Sequence, residues 1–342
     1  MSAMTDGNSL TAAGATAADA RNPTAAPVSR RLVRILIGLA LAGMIALPFF
    51  VSGYIVYVAN MLMVYVVLAL GMHFVIGEAG QFSLAHAALY GVGIYTAGLL
   101  NNAFHPSMLL CILAGGLVAT LLGVIVSGLA LRMREIYLAI ATFSFGEAMQ
   151  WVFLNWEPVT GGTSGLRISP AQIFGYVLVS DKQAYPVVVM LALAFIGLAL
   201  WLSRSGLGSS MRAVRESDVA AMAMGINVKG TKVTAFAISA FFAGCAGGMF
   251  TSFSSFIHPE SLGFQTTILV LTMVIVGGIG SVMGAIGGAI IFGLVSELLR
   301  QFYSFQEMIY GGILMLFMMY LPKGLFASGL ELLFQKQGVR HE

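Results

Sequence analysis

The stretch that decides how this chain is organised is residues 204–232, RSGLGSSMRAVRESDVAAMAMGINVKGTK, a charged segment between two long apolar runs. Ser217 and Asp218 are good N-terminal caps for a helix, and Gly225 suits the left-handed residue that closes one. Residues 219–224 are therefore predicted to form one or two helical turns. Because so short a helix is unstable alone in water, we expect the segment to be stabilised against a partner.

The composition of the chain is that of a membrane protein. Of its 342 residues, 58% are hydrophobic and 9% are charged, whereas about 25% of the residues in an average soluble domain are charged. Membrane helices of about 20 residues pack as a single bundle, so we predict one transmembrane domain at residues 31–330. Residues 1–30 have almost no large apolar side chains and are predicted to be a disordered leader, and residues 331–342 form a tail.

Ten apolar runs are long enough, or nearly so, to cross about 30 Å of hydrocarbon, which predicts an all-α polytopic membrane protein. Residues 277–280, GGIG, leave two interpretations open, a tight turn between two spans or a break within a re-entrant pair, so eight or nine crossings are alternatives. The ten runs are approximately residues 32–51, 54–76, 82–100, 107–131, 136–155, 186–203, 233–257, 265–279, 282–299 and 306–321.

The lysines and arginines indicate the orientation of these spans, because cytoplasmic loops carry an excess of both. With the N-terminus and the C-terminus inside, only Arg167, Lys182 and Arg300 of the 17 lysines and arginines fall outside. The leader, the tail and residues 204–232 then lie in the cytoplasm. This distribution accounts for the net charge of +3, and we expect no nucleic-acid partner.

Polar residues recur on one face of the third predicted span. Ser83, His86 and Tyr90 are spaced at i, i+3 and i+7, which places them together on a helix that should face inward. They either hydrogen-bond a neighbouring helix and set the packing, or they line a path for a transported solute. The sequence leaves both interpretations open.

The fifth predicted span carries Ser144, Glu147 and Gln150 at three-residue spacing. An ionised glutamate in the middle of a membrane costs about 2.5–3.5 kcal/mol on insertion scales, so we expect Glu147 to face the protein interior or a water-filled path. Lining of a translocation path and buried hydrogen bonding are both open.

Two glycine-rich stretches have no catalytic pattern. Residues 155–166, NWEPVTGGTSGL, lack the GxxxxGK[ST] order of a phosphate-binding loop. They lie outside in the predicted topology, where Thr160, Gly161 and Gly162 either meet a soluble partner or belong to a turn-rich connection. Residues 277–293 carry GxxxG spacings, which allow close helix packing within the chain or with a second subunit.

Several segments together resemble the permease subunit of branched-chain amino acid ABC importers, the LivM type. Their order and spacing extend over most of the chain from about residue 35 to residue 330. The segments are residues 80–96, GQFSLAHAALYGVGIYT; 139–147, AIATFSFGE; 160–165, TGGTSG; 213–226, AVRESDVAAMAMGI; and 277–281, GGIGS.

The resemblance implies a type II ABC importer permease of the bacterial inner membrane. Such a subunit pairs with a second permease of the LivH type, two cytoplasmic ABC ATPases that bind ATP and Mg, and an extracytoplasmic solute-binding protein. Residues 213–226 resemble the coupling helix, which sits in a groove on an ATPase. The residues expected to contact the ATPase are Arg212, Arg215, Glu216, Asp218, Ala220, Ala221 and Gly225.

The chain itself has no ATP-binding motif, so an ATP-driven pump would need one on another subunit. We expect no catalytic residue, no metal site and no cofactor bound by this chain. Membrane lipid is expected to surround it. The solute is expected to be a branched-chain or related amino acid, and urea or a short amide is the alternative within the same family. An ion-gradient-driven secondary transporter or a passive channel is the alternative of another class.

Overall fold

Helices make up most of the part of the chain that the computed structural model describes, which is residues 51–130, 135–173, 175–178 and 180–299 with the isolated positions 48, 308, 309, 311, 312, 315 and 319. The predicted leader, first span, last span and tail lie outside the described residues, apart from a few of those isolated positions. The α-helices are α1 (Gly53–Met72), α2 (His86–Phe104), α3 (Met108–Ala130), α4 (Glu135–Asn155), α5 (Glu157–Thr160), α6 (Asp181–Arg204), α7 (Gly206–Glu216), α8 (Asp218–Ala223), α9 (Val228–Phe250), α10 (Phe264–Gly277) and α11 (Val282–Leu299).

The long helices coincide with the eight predicted spans between residues 54 and 299. By length and composition, five helices in the described ranges could each cross a membrane: α1 with the π-helix His73–Glu78 that extends it, α3, α6, α9 and α11. The all-α class is confirmed for these ranges.

The third predicted span begins later than expected, at His86 instead of residue 82. Residues 79–85 are not helical and turn back along α1, so that His86 reaches the carbonyl of Leu68, about one turn before α1 ends. The backbone N–H of Leu84 in this return segment donates to Thr142 Oγ1 at 3.0 Å. This side-chain bond takes the place of the backbone bond that the N–H would make in a helix.

Two small antiparallel ladders were not predicted. Strand β1 (Leu166–Arg167) pairs with β4 (Phe256–Ile257), and β2 (Gln172–Ile173) pairs with β3 (Tyr176–Val177). Strands of two residues are too short to show a sequence period, so their pairing depends on the tertiary arrangement.

The centre of the bundle is built from α1 and α9. Helix α9 packs against α1, α2 and α3, and it contacts α3 most extensively. Glycines allow the close approach: a Cβ at Gly93 in α2 would lie 2.2 Å from the carbonyl oxygen of Gly244 in α9, and a Cβ at Gly244 would lie 2.5 Å from that of Gly115 in α3. Small residues at such crossings let helix backbones touch in a membrane.

The glycine-rich stretch 277–293 packs within this chain. A turn at residues 278–281 separates α10 from α11, which are two distinct helices. This separation agrees with both interpretations of residues 277–280. A Cβ at Gly277 would lie 2.0 Å from Gly284 O, and one at Gly288 would lie 1.9 Å from Met273 O. The GxxxG spacings therefore bring α10 and α11 together.

The connections between helices collect at two ends of the bundle. At the first, which we call the charged end, Arg215 of α7 reaches Gly77 in the π-helix and the turn at Gly280. At the second, the hairpin end, Asn102 at the end of α2 holds the backbone at Arg167, next to the β ladders. Helix α6, 24 residues and about 36 Å long, connects the two ends.

Candidate functional site

Residues 204–232 fold into two helices, α7 and α8, at the charged end. The Ser217 side chain accepts from Ala220 N at 3.3 Å and so caps α8, while Asp218 is its first helical residue. Gly225, with φ +82°, follows the last turn in the left-handed conformation. The short capped helix is confirmed. Helix α7 was not predicted, because its serines and glycines are typical of a loop.

A small apolar cluster holds α8 against the rest of the chain. It consists of Val214 of α7, Ala221 of α8 and Val228 at the start of α9, each no more than 9% exposed. Asp218 Oδ2 and Lys232 Nζ form an ion pair of 2.6 Å beside it. The segment is therefore positioned by its own chain on one side.

The two arginines of α7 face the membrane domain. Arg212 Nη1 donates to Glu78 Oε2 at 2.8 Å and to Ser203 O at 2.9 Å. Arg215 Nη1 donates to Gly77 O. The sequence analysis expected both arginines to contact an ATPase. The structure shows that both residues are exposed and that their guanidinium groups also attach α7 to the π-helix.

The other predicted contact residues differ in exposure. Ala221 is buried in the cluster, so it supports the helix and has almost no surface to offer a partner. Ala220, Gly225 and Glu216 are exposed, and Asp218 is partly exposed beside Lys232.

The outward surface of α8 is apolar, and the sequence analysis missed it. Val219 is 74% exposed, Met222 57% and Met224 81%. These three residues, which we call the α8 surface, stand at the charged end among polar neighbours. The sequence contained a pattern that could have predicted this surface. Val219 and Met222 are three residues apart, on one helical face, inside a charged segment.

The polar residues of the third predicted span lie at the junction of α1, α2 and α9. Ser83, His86 and Tyr90 are all at most 4% exposed. His86 donates from Nε2 to Leu68 O at 2.9 Å, and its Nδ1 lies 3.3 Å from Ser239 Oγ. These bonds join three helices and support the packing interpretation for His86.

Ser144 and Glu147 lie instead on an exposed face of α4. This helix makes few contacts with the other helices, and Tyr137, Ile140 and Trp151 on it are each more than half exposed. Glu147 borders a small crevice, which is lined on the other side by residues of α2 and α10 including Ala87 and Thr267.

Gln150 lies at one end of the same face. A Cβ at Gly263 would lie 2.5 Å from Gln150 Nε2, so the glutamine side chain packs on the backbone that precedes α10. The structure thus brings Glu147 and Gln150 together beside α10 and separates them from the buried set of α2.

The predicted outer-loop residues shape the loop. Thr160 is 3% exposed; its Oγ1 donates to Trp156 O at 2.9 Å and accepts from Gly162 N at 3.2 Å. Gly162 is buried and Gly161 is half-buried. The exposed side chains of this loop are those of Asn155, Trp156, Glu157, Pro158, Thr163 and Ser164.

Comparison with known proteins assigns the chain to a family. The family model described as "Branched-chain amino acid transport system / permease component" matches residues 54–321, most of the chain. The chain belongs to this permease family. The resemblance found in the sequence is confirmed.

The permease is similar to several curated transport proteins. It is 33% identical over 305 residues to the high-affinity branched-chain amino acid transport system permease protein LivM of Escherichia coli K12. This alignment covers 82% of the permease and 72% of the relative. It is 26% identical over 283 residues to LivH of Salmonella typhimurium, covering 76% and 90%. It is 27% identical over 292 residues to the ribose import permease protein RbsC of Haemophilus influenzae, covering 82% and 88%. No solved structure matches it significantly.

Family and structure together give the location of the permease. The matched relatives are bacterial transport permeases, and the described helices include several that are long and apolar enough to cross a bilayer. The permease is therefore a multi-pass protein of the bacterial inner membrane.

Proposed function

We propose that the permease is one of two membrane subunits of an ATP-driven ABC importer and that the α8 surface docks on a cytoplasmic ATPase. The single observation that carries this proposal is the exposure of Val219, Met222 and Met224 on a capped helix that its own chain holds in place. Exposed apolar side chains with a polar surround mark protein interaction sites. Glu216, Asp218, Ala220 and Gly225 border this surface.

The charged end is cytoplasmic in this proposal, with both termini inside and ten crossings. Gly77, Arg215 and Gly280 lie together at one end of the bundle. This agrees with predicted spans that cross the membrane in alternating directions, which put the loops containing these residues on the same side. Residues 204–232 carry five of the lysines and arginines, and the positive-inside rule places such a loop in the cytoplasm.

The proposed partners supply what this chain lacks. Two ABC ATPases bind ATP with Mg, a second permease of the LivH type completes the membrane domain, and an extracytoplasmic solute-binding protein docks at the hairpin end. We expect the binding protein to contact the exposed side chains of Trp156, Glu157 and Thr163. Thr160 and Gly162 are buried and cannot make this contact. The permease itself binds no cofactor.

The proposed translocation path runs along the face of α4 that carries Ser144, Glu147 and Gln150. A carboxylate on an apolar helix costs about 2.5–3.5 kcal/mol if it faces lipid. Glu147 is exposed in the single chain, so water or the second permease must cover it in the assembled transporter. The proposed solute is a branched-chain or related amino acid, as the name of the LivM relative suggests.

Uptake by the reconstituted complex tests this function. Proteoliposomes that contain both permeases and both ATPases should take up leucine only with the binding protein outside and ATP inside, and loaded binding protein should stimulate ATP hydrolysis. Uptake by the permeases alone would contradict the proposal and favour a passive channel or a gradient-driven transporter.

Glu147→Gln should reduce transport more than stability. We expect uptake to fall about tenfold, because the charge that faces the path is lost, while the free energy of unfolding changes by about 0.5 kcal/mol or less at this exposed position. The measurements are initial uptake rates and thermal unfolding in the same lipid. Glu260→Gln, an exposed carboxylate beyond α9, is the control. An unchanged uptake rate would leave Glu147 without a role in the path.

A further inference from the structure

Glu78, the last residue of the π-helix, is a buried carboxylate with partners from two other elements. It is 1% exposed, and it accepts from Ser203 Oγ at the end of α6 and from Arg212 Nη1 of α7. His73 Nε2, at the start of the π-helix, lies 3.4 Å from Glu78 Oε1. One side chain thus joins α1, α6 and α7.

Arg215 provides a second attachment one helical turn further along α7. It donates to the carbonyl of Gly77, the residue before Glu78. Its aliphatic part lies over Gly80, where a Cβ would be 2.8 Å from Arg215 Cγ. Two neighbouring residues of the π-helix are therefore held by two arginines of the helix that precedes α8.

The attachment point is a π-helix. Its wide turn is formed by bonds such as Ala79 N to Phe74 O at 3.1 Å. Single π-helical turns are rare and are found frequently at functional sites. His73–Glu78 directly extends α1, which lies at the centre of the bundle.

We propose that Glu78 is a positioning residue that transmits movement of α7 and α8 to α1. This inference rests on the proposed function, in which an ATPase moves α8. Glu78 is buried, so separating its carboxylate from Arg212 would leave the charge without its partner. The pair therefore moves as a unit when α7 is displaced. The displacement then reaches the π-helix and α1 before it reaches the peripheral α4.

The ratio of solute molecules transported to ATP hydrolysed by the full complex tests the inference. Glu78→Gln keeps the shape of the side chain and removes its charge. We expect the ATPases to stay bound, hydrolysis to continue and the transport ratio to fall about tenfold. Ser210→Ala is the matched control and should leave the ratio unchanged. Within the described residues, the Ser210 hydroxyl bonds only the carbonyl of Gly206 in its own helix.

A double-mutant cycle with Arg212→Gln separates transmission from simple loss of folding. The ratio is measured per assembled complex after size-exclusion chromatography, so unfolded protein does not contribute. If Glu78 and Arg212 act through one bond, the transport ratio of the double variant should be no lower than that of either single variant. Additive losses, or an unchanged ratio in Glu78→Gln, would overturn the role of Glu78 while leaving ATP-driven import intact. Absence of solute-stimulated hydrolysis in the unmodified complex would overturn both.

Discussion

Met222→Glu is expected to release the ATPase subunits from the permease, lowering their affinity about 100-fold, or about 2.7 kcal/mol. Met222 lies on the α8 surface, with Val219 and Met224 exposed beside it. In the proposed complex the new carboxylate would be removed from water into an apolar groove, which is costly. Glutamate is a good helix former, so α8 itself should persist.

Titration of detergent-solubilised permease pairs with purified ATPase measures this effect. Met222→Leu, which keeps the side chain apolar and similar in volume, is the matched control and should bind normally. Solute-stimulated ATP hydrolysis should disappear in Met222→Glu alone. Undiminished affinity in that variant would place the ATPase contact elsewhere on the charged end.

Gly288→Ala is expected to destabilise the membrane domain by about 3 kcal/mol or more. The added Cβ would lie 1.9 Å from Met273 O and 2.9 Å from Gly277 Cα. Both are backbone atoms, so no side-chain rotation relieves the overlap, and α10 and α11 must separate. Overpacking in a tight core costs about 1–3 kcal/mol even where side chains can adjust.

Gly197→Ala is the matched control for this substitution. Gly197 lies inside α6, and among the described residues no atom outside its own helical turn lies within 4 Å of its added Cβ. Alanine should there be neutral or stabilising by up to about 1 kcal/mol through its higher helix propensity. Thermal unfolding of both variants in one detergent measures the difference. Equal melting temperatures would show that α10 and α11 do not pack as described.

Local features of the sequence were sufficient for several elements. Caps and a terminal glycine predicted α8, because these signals act between residues a few positions apart. Apolar length predicted the long helices, and GxxxG spacing predicted a close helix contact. The choice between packing within the chain and packing on a second subunit required the observed contact of Gly288 with α10.

The candidate site was predicted less completely, because its decisive contacts are distant in sequence. Arg212 and Glu78 are 134 residues apart, and nothing local to either residue identifies the other. The bonds of Arg212 and Arg215 to their own chain were therefore not predicted, and their contact with an ATPase stays a prediction. The burial of Thr160 likewise depends on how its loop folds.

The sequence by itself determined the class of this protein: an apolar chain of long helices, a charged segment with one capped helix, and a resemblance to one permease family. Composition, caps and apolar length act through the solvent or through neighbouring residues, so a single sequence contains them. Only the tertiary structure decided which face of α8 is free, which residues hold α7, and where Glu78 lies. Those outcomes depend on burial and on contacts between distant segments, which exist only once the helices pack.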